Sequence, residues 1–358
     1  MRVGVSAMSW LLYGATGYTG DLIAREAAVR GPRPILAGRN RASVERLARE
    51  LRAESRAFAL DDAASVAQQI DGVTLVLNCA GPFSATALPM MRACLTRGAH
   101  YLDITGEIDV FELAHSLDAE ARRAGVLLCP GVGFDVVPSD CLAAQLKAAM
   151  PDATHLALGF DSRSPTSRGT SKTMIEGLRT GSRVREAGRI VSIPFASRVR
   201  EIDFREGRKT AIAIPWGDVS TAYYTTGIGN IEVYIPASPR TVRRMQQLNR
   251  WRWLLGWQPV QAWLKRRVDR AAPGPDAALR EQTPVCLWGE ARTASGRTVV
   301  GRMRVANGYT VTVHAALGIV TRVLGNAAPV GYHTPSQVVG AHFASRLPGS
   351  SPLEFSDR

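Results

Sequence analysis

Short apolar runs alternate with amphipathic stretches over the first 145 residues of the chain. The apolar runs predict strands at residues 9–13, 34–37, 56–59, 74–78, 100–103 and 126–129. Helical spacing of apolar positions predicts helices at residues 21–28, 42–51, 63–70, 87–97, 110–124 and 139–149. Strands that alternate with helices in this way form βαβ units, so residues 1–148 are expected to fold as a doubly wound parallel sheet of the α/β class.

The pattern changes after Pro151, where strand-like runs follow one another with few helices between them. Strands are expected at residues 154–160, 188–193, 209–214, 231–235, 285–293, 297–305 and 309–316, and a helix at 171–180. Asn307-Gly308 is a signal for a hairpin turn. Residues 149–333 are therefore expected to form an α+β domain on a largely antiparallel sheet. A helix at 336–347, within the segment 334–348, is expected to pack back on the first domain, with a loose tail after it.

A glycine turn follows the first strand, with Gly14, Gly17 and Gly20 spaced three residues apart and a helical pattern directly after them. Glycines at this spacing let the backbone approach a pyrophosphate, and the helix N-terminus presents free N–H groups to it. A plain strand-to-helix turn is the alternative, but both flanking elements that a dinucleotide site needs are present. The turn predicts a Rossmann-type site, and its candidate cofactor-binding residues are Gly14, Thr16, Gly17, Tyr18, Thr19 and Gly20.

Basic residues follow the second strand, where the sequence reads Arg39-Asn40-Arg41 and no acid lies between residues 31 and 43. An NAD enzyme usually has a carboxylate here for the ribose 2′-OH, whereas guanidinium groups can bind a 2′-phosphate. These three residues therefore favour NADP(H), although they can also be read as a solvated helix start. Asp61 follows the third strand, where it would contact the adenine. Asp62 beside it can equally be a helix N-cap.

Three later strand ends, at residues 78–83, 101–107 and 130–140, are expected to meet at the same edge of the sheet, where such folds bind ligands. The small residues of the first of them would let a nicotinamide ribose lie against the backbone, and they are Cys79, Ala80, Gly81 and Pro82. The catalytic candidates are Asp103, Asp135 and Tyr101, with Glu107 and Thr170 nearby. Each has a structural alternative: Asp135 can satisfy turn backbone, Asp103 can cap its loop, and Tyr101 can be core.

These motifs together resemble the saccharopine dehydrogenase-like family, in particular its reductase-like branch that includes trans-acting enoyl reductases. The resemblance rests on the glycine turn, on the strand ends N-C-A-G-P-F and Y-L-D-I-T-G-E, and on the turn G-x-G-F-D-x-V-P-S-D. Residues 167–170 and 331–336 match later family motifs, so the similarity spans nearly the whole chain. It implies an NADP-dependent oxidoreductase that moves a hydride to or from an unsaturated or carbonyl substrate, acyl or lipid-like compounds included. It also makes a homodimer an expectation, but it does not imply saccharopine as the substrate.

Positive charge is concentrated in one segment of a chain whose net charge is +13. Residues 240–270 hold nine Arg or Lys against the single acid Asp269, and Trp251, Trp253, Trp257 and Trp263 lie among them. The apolar spacing predicts a basic helical hairpin over 239–270. Such a hairpin can lie on an anionic membrane surface, or its apolar stripe can pack on the second sheet with the arginines solvated. Nucleic-acid binding is not expected, because no recognition motif accompanies the charge.

Other features narrow the function classes. No apolar run is long enough to span a bilayer and no signal peptide is visible, so a cytoplasmic protein is expected, with peripheral membrane contact as a further expectation. The five cysteines and six histidines show no metal-ligand spacing, so no metal site is expected. Residues 1–7 are interpreted as an upstream extension. The leading hypothesis is an NADP-dependent oxidoreductase acting on a small molecule. A catalytically silent NADP(H)-binding scaffold or a peripheral membrane protein is the alternative, because no Tyr-Lys or His-based catalytic pair is evident.

Overall fold

The computed structural model describes residues 9–31, 33–178, 180–205, 207–255, 257–268, 270, 274–325 and 328–357. Residues 1–7, interpreted above as an extension, lie outside this range. The first part of the chain alternates strands and helices. These elements are β1 (Trp10–Tyr13), α1 (Tyr18–Arg30), β2 (Ile35–Gly38), α2 (Arg41–Leu51), β3 (Ser55–Ala57), α3 (Ala63–Gln69), β4 (Leu75–Asn78), α4 (Phe83–Arg97), β5 (His100–Asp103), α5 (Ile108–Ser116), α6 (Asp118–Ala124), β6 (Leu127–Cys129) and α7 (Val137–Ala149).

The remaining chain is richer in strands. Its elements are β7 (His155–Asp161), α8 (Arg168–Gly177), β8 (Ser182–Glu186), β9 (Arg189–Ile193), β10 (Val199–Asp203), β11 (Arg208–Ala213), α9 (Asp218–Thr226), β12 (Asn230–Pro236), α10 (Pro239–Leu248), α11 (Arg252–Leu255), α12 (Gln258–Val268), α13 (Ala277–Gln282), β13 (Val285–Arg292), β14 (Thr298–Val305), α14 (Gly308–Gly325), β15 (Gly331–Tyr332), α15 (Pro335–Val339) and β16 (Glu354–Asp357). Single 3₁₀ turns lie at Asn249–Trp251 and Ala344–Arg346.

The first sheet is parallel, and within the described ranges it has seven strands in the order β15-β6-β5-β4-β1-β2-β3. Its middle strands are buried on both faces, with Leu12 and Leu77 in one hydrophobic cluster and Leu11 and Val76 in the other. Continuous apolar runs are typical of such doubly covered parallel strands. The order around β1 is that of a Rossmann fold, so the predicted fold class is confirmed.

The second sheet follows the order β10-β11-β12-β7-β13-β14-β16, with β8 and β9 joined to it through β12. All its pairings are antiparallel except that of β12 with β7. Helix α7 packs on this sheet, and glycines in β13 and β14 make room for it. A Cβ added at Gly289 would lie 2.6 Å from Leu146, and one at Gly301 would lie 3.0 Å from Leu142. The same hydrophobic cluster therefore extends from the first sheet across α7 to the second.

The strand predicted at residues 309–316, with a hairpin turn before it, is wrong. This stretch begins the long helix α14, whose residues are buried on nearly all sides. An apolar run without a polar stripe has no period that separates a buried helix from a buried strand. Asn307 starts the helix, since its side-chain oxygen accepts the N–H of Tyr309 at 3.0 Å and its amide donates to Thr283 Oγ1 at 2.8 Å.

Other departures from the predicted elements arise from contacts between distant residues. The helix predicted at 110–124 is divided into α5 and α6, and Asp118 at the division accepts the N–H of Tyr332 in β15 at 2.7 Å. The helix predicted at 336–347 is replaced by the short α15, which ends at Gly340, and a 3₁₀ turn. The tail is not loose, because β16 pairs with β14. None of the helices in the described ranges combines the length and apolar character needed to cross a bilayer.

Candidate active site

The glycine turn connects β1 to α1 at the centre of the first sheet. Gly14 has a φ of +80°, and a Cβ there would lie 2.8 Å from the backbone nitrogen of Ala80 at the end of β4. A Cβ at Gly20 would lie 2.2 Å from the carbonyl oxygen of Gly14. Gly17 is the N-cap of α1 and has no side chain to cap it, and Thr16 beside it is exposed. The first N–H groups of α1 therefore face an open, glycine-lined turn that fits a pyrophosphate.

The residues that follow β2 and β3 flank this turn. Arg39 is exposed at the end of β2, and no ion pair to it is found in the described part of the chain. Arg41 lies 3.5 Å from Glu45 one helical turn later. Asn40 caps α2 by accepting the N–H of Ser43 at 3.0 Å. The Arg39 guanidinium is thus the group available to a phosphate at this edge.

The two acids after β3, Asp61 and Asp62, differ in their contacts. Asp61 is exposed next to the end of β1. Asp62 caps α3 by accepting the N–H of Ser65 at 2.9 Å, which was the alternative interpretation of this pair. Of the two, Asp61 is the exposed acid that does not cap a helix in the described structure.

The loop after β4 is held by two polar side chains. Asn78 is buried and accepts the N–H of Ala80 at 3.0 Å. Thr86, on the first turns of α4, donates to the carbonyl of Ala80 at 2.6 Å. Burial raises the pKa of the Cys79 thiol, so it stays neutral and contributes no thiolate. The small residues Cys79–Pro82 thereby form a fixed floor beside the glycine turn. Thr86 carries no sequence signal for this role.

Glu107 caps α4 from the loop after β5. Its carboxylate accepts the N–H groups of Phe83 at 2.9 Å and Ser84 at 2.7 Å, and the hydroxyl of Thr173 on α8 at 3.3 Å. Burial is the largest influence and raises the pKa of this carboxyl, despite the hydrogen bonds that lower it. Glu107 therefore connects the start of α4, which follows the loop at residues 79–82, to α8 in the second part of the chain.

Asp103 and Tyr101 lie below the site, inside the sheet. Asp103 is fully buried and accepts hydrogen bonds from the Tyr101 hydroxyl at 2.7 Å and from the N–H groups of Thr105 and Gly131, both at 2.9 Å. Burial raises the pKa of Asp103 to about 6. Because Gly131 follows β6, this carboxyl joins the ends of β5 and β6. Asp103 and Tyr101 are therefore arranged to position the backbone that follows these two strands.

Asp135 lies near the end of the β6–α7 connection, two residues before α7, with its carboxyl against Gly106, where a Cβ would come within 2.9 Å of Oδ2. Its backbone carbonyl accepts the indole N–H of Trp216 at 2.7 Å. No hydrogen bond to its carboxyl occurs among the residues that the structure describes. Burial alone raises the pKa of Asp135 to about 7. A carboxyl whose pKa is raised in this way can hold a proton close to neutral pH.

Aromatic side chains form a wall beside Asp135. The rings of Phe134 and Phe160 are 5.6 Å apart and nearly perpendicular, and those of Phe160 and Trp216 are 4.8 Å apart. All three are half-buried. Phe160 and Trp216 come from the second part of the chain, so no local pattern could have placed them next to Asp135. An apolar substrate would contact such a wall favourably.

The parallel sheet and its glycine turn, with polar and aromatic residues gathered at the carboxyl ends of the strands, are the arrangement of a nicotinamide-dinucleotide-binding oxidoreductase. Residues 10–129 match the model of the saccharopine dehydrogenase NADP binding domain. Trans-acting enoyl reductase from Mycobacterium tuberculosis is 32% identical over 423 aligned positions, which cover 97% of each chain. Its counterpart from Mycobacterium ulcerans is 32% identical over 274 positions, covering 67% of this chain and 62% of the relative. The chain belongs to the saccharopine dehydrogenase-like family.

A solved structure shares the fold. Apo saccharopine dehydrogenase (L-Glu forming) from Saccharomyces cerevisiae superposes with a TM-score of 0.64, covering 98% of this chain and 100% of that one at 10% identity. The described residues contain no group of three His, Cys, Asp or Glu side chains that could hold a metal ion.

Proposed function

We propose that this protein is an NADPH-dependent enoyl reductase, which reduces the carbon–carbon double bond of an α,β-unsaturated acyl substrate. One observation carries the proposal: Asp135, a carboxyl whose pKa burial raises to about 7, lies at the carboxyl edge of the parallel sheet beside the aromatic residues Phe134, Phe160 and Trp216. A proton donor beside an apolar surface is what reduction of an acyl double bond requires. The names of the curated relatives agree with this assignment.

Residues around the glycine turn would hold the cofactor. The turn 14–20 would bind the pyrophosphate through backbone N–H groups, and Arg39 would bind the 2′-phosphate that distinguishes NADPH from NADH. Asp61 would face the adenine, and residues 79–82 would support the nicotinamide ribose. When bound, NADPH supplies a hydride to the carbon β to the substrate carbonyl.

Asp135 completes the reduction by protonating the α-carbon, so that the double bond gains one hydride and one proton. Burial raises the pKa of Asp135 to about 7, so about half of the molecules hold this proton at neutral pH, and the partial exposure of the residue lets water restore it afterwards. Asp103 and Tyr101 act as positioning residues, because they fix the loops that hold Gly131 and the neighbouring Asp135. Glu107 positions the start of α4 in the same manner.

Turnover assays test this proposal. The purified protein is mixed with NADPH and, in separate reactions, with trans-2-enoyl thioesters of increasing chain length and with 3-ketoacyl thioesters; saccharopine is tested separately with NADP+, because it can only be oxidised. Loss of NADPH absorbance with the enoyl thioesters, together with the saturated product by mass spectrometry, is the expected result. Tight NADPH binding without turnover of any of these compounds would support the silent scaffold and contradict the proposal.

A further inference from the structure

We propose that residues 244–267 form a docking surface for anionic phospholipid membranes. We call its exposed basic and large apolar side chains the basic tryptophan surface. These side chains are Arg244, Leu248, Arg250, Trp251, Trp257, Trp263, Arg266 and Arg267. The inference does not depend on the proposed reduction, since it concerns where the protein binds and not what it converts.

Exposed indole rings are the first evidence. Trp251, Trp257 and Trp263 expose 59%, 61% and 55% of their surface, and Leu248 nearby is exposed as well. Water-exposed tryptophans are costly for a monomer, and three of them within one short segment indicate a surface that contacts another phase or partner. The expectation that the apolar stripe of this segment packs on the second sheet holds for Val242 but not for these rings.

Positive charge accompanies the rings. Four arginines of this surface, Arg244, Arg250, Arg266 and Arg267, are exposed, and no ion pair to them is found in the described ranges. Lys265 differs, because it pairs with Glu176 on α8 at 2.5 Å. Uncompensated arginines complement the negative potential of an anionic leaflet, where each basic residue contributes roughly 1 kcal/mol.

The arrangement of rings and charges favours a lipid interface over a nucleic acid or an acidic protein. The Arg267 guanidinium lies 5.1 Å from the centre of the Trp263 ring, and Arg244, Leu248 and Trp251 line one shallow groove. Interfacial segments combine indole rings at the headgroup level with basic side chains beside aliphatic ones. An acidic protein surface would satisfy the arginines but would leave three largely exposed indoles without a matching apolar phase.

The surface is structurally connected to the proposed active site. Helix α12 contacts α8 through Lys265 and Glu176, and Glu176 also accepts the hydroxyl of Ser84 at 3.3 Å. Ser84 is the second residue of α4, which follows directly after the loop at residues 79–82. A membrane bound at the basic tryptophan surface would therefore lie on the α8 side of the site, where an acyl substrate could enter from the lipid.

Vesicle co-sedimentation of the full chain tests the inference. Probes are vesicles of phosphatidylcholine alone and of phosphatidylcholine mixed with phosphatidylglycerol. We expect binding to the mixed vesicles, little binding to the neutral ones, and weaker binding as salt is raised. Replacing both Arg266 and Arg267 with Gln should weaken binding about 25-fold, at about fivefold per charge. Replacing Trp257 and Trp263 with Ala should weaken it by at least about tenfold.

Matched variants elsewhere on the surface provide the control. Val29→Ala and Arg33→Gln remove an exposed apolar and an exposed basic side chain near β2 and should leave vesicle binding unchanged. Thermal unfolding and NADPH affinity of every variant show whether it is folded, independently of turnover. Absence of binding to mixed vesicles, equal binding to both vesicle types, or full binding by the tryptophan variant would each overturn the proposal. Binding to DNA or to an acidic protein without binding to vesicles would overturn it as well.

Discussion

Arg280 donates a hydrogen bond at 2.9 Å to the hydroxyl of Tyr18, a residue of the glycine turn 262 positions earlier in the chain. The Tyr18 hydroxyl in turn donates to the carbonyl of Pro275, and its ring meets that of Tyr309 edge-on at 5.0 Å. Gly274 lies against the same ring, where a Cβ would come within 2.7 Å. The second part of the chain therefore closes over the turn that would bind the pyrophosphate.

Gly274→Ala is predicted to weaken NADPH binding. The added methyl group would collide with the Tyr18 ring and push it toward the turn, since a rigid aromatic ring cannot yield as a flexible side chain can. Overpacking of this kind costs about 1–3 kcal/mol, so the Kd for NADPH should rise by about tenfold. Isothermal titration calorimetry measures this Kd. Gly31→Ala is the control, because a Cβ at Gly31 would meet no atom within 4 Å. Equal affinity for both variants would show that this closure does not affect the turn.

Local sequence patterns predict most of the first sheet well because its strands β1 to β6 each carry their own signal. The strand at His100–Asp103 is bounded as predicted, and the glycine turn follows β1 because Gly14 and Gly20 are required by close backbone contacts. The strand β15 has only two residues and gives no such signal. It exists because Tyr332 pairs beside β6 and donates its N–H to Asp118.

The sequence predicts the candidate site only in part, because the site also depends on contacts between residues that are distant in the chain. The motifs place Asp135 and Glu107 at strand ends, but their chemistry depends on contacts that no local spacing encodes. Trp216 reaches Asp135 from 81 positions away, and Thr173 reaches Glu107 from 66 positions away. The burial that raises the pKa of Asp135 is likewise a property of the assembled fold.

Arg39→Asp is predicted to reverse the cofactor preference. The wild-type protein should bind NADPH more tightly than NADH, because the guanidinium can form charge-assisted hydrogen bonds with the 2′-phosphate. Losing such bonds costs about 1.5–3 kcal/mol, so the Kd for NADPH should rise by about 10- to 100-fold or more, while that for NADH should change little. Fluorescence titration with both cofactors measures the two constants. Arg33→Asp, which changes an exposed arginine before the same strand, should leave the preference intact. Equal wild-type affinities for the two cofactors would refute the 2′-phosphate assignment.

The stability of the protein should depend on pH through Asp103. Burial raises the pKa of this carboxyl from 3.8 to about 6, so the folded protein holds its proton more tightly than the unfolded chain does. The stabilisation is fully present below about pH 4 and is lost as the pH rises through about 6. A shift of about two pKa units corresponds to about 3 kcal/mol. Urea unfolding at a series of pH values measures this change.

Asp103→Asn isolates this contribution, because an amide does not titrate in this range and its oxygen can still accept the N–H groups of Thr105 and Gly131. The variant should lack the part of the pH dependence described above. Asp152→Asn serves as the comparison, since Asp152 is an exposed carboxyl paired with Arg297. Parallel stability curves for the wild-type protein and Asp103→Asn would refute the assignment.

Asp135 should give the reductase its pH dependence. As a proton donor with a pKa of about 7, it is active when protonated, so kcat should be level at low pH and fall tenfold per pH unit above about 7. Asp135→Asn should lower kcat by about 10²- to 10⁴-fold and leave a residual rate without this fall. Its Kd for NADPH should stay unchanged, because the side chain lies outside the pyrophosphate and 2′-phosphate sites. Asp103→Asn, in which Asp135 is intact, should keep the fall. The assignment is untenable if Asp135→Asn turns over at the wild-type rate or shows the same loss of activity above neutral pH.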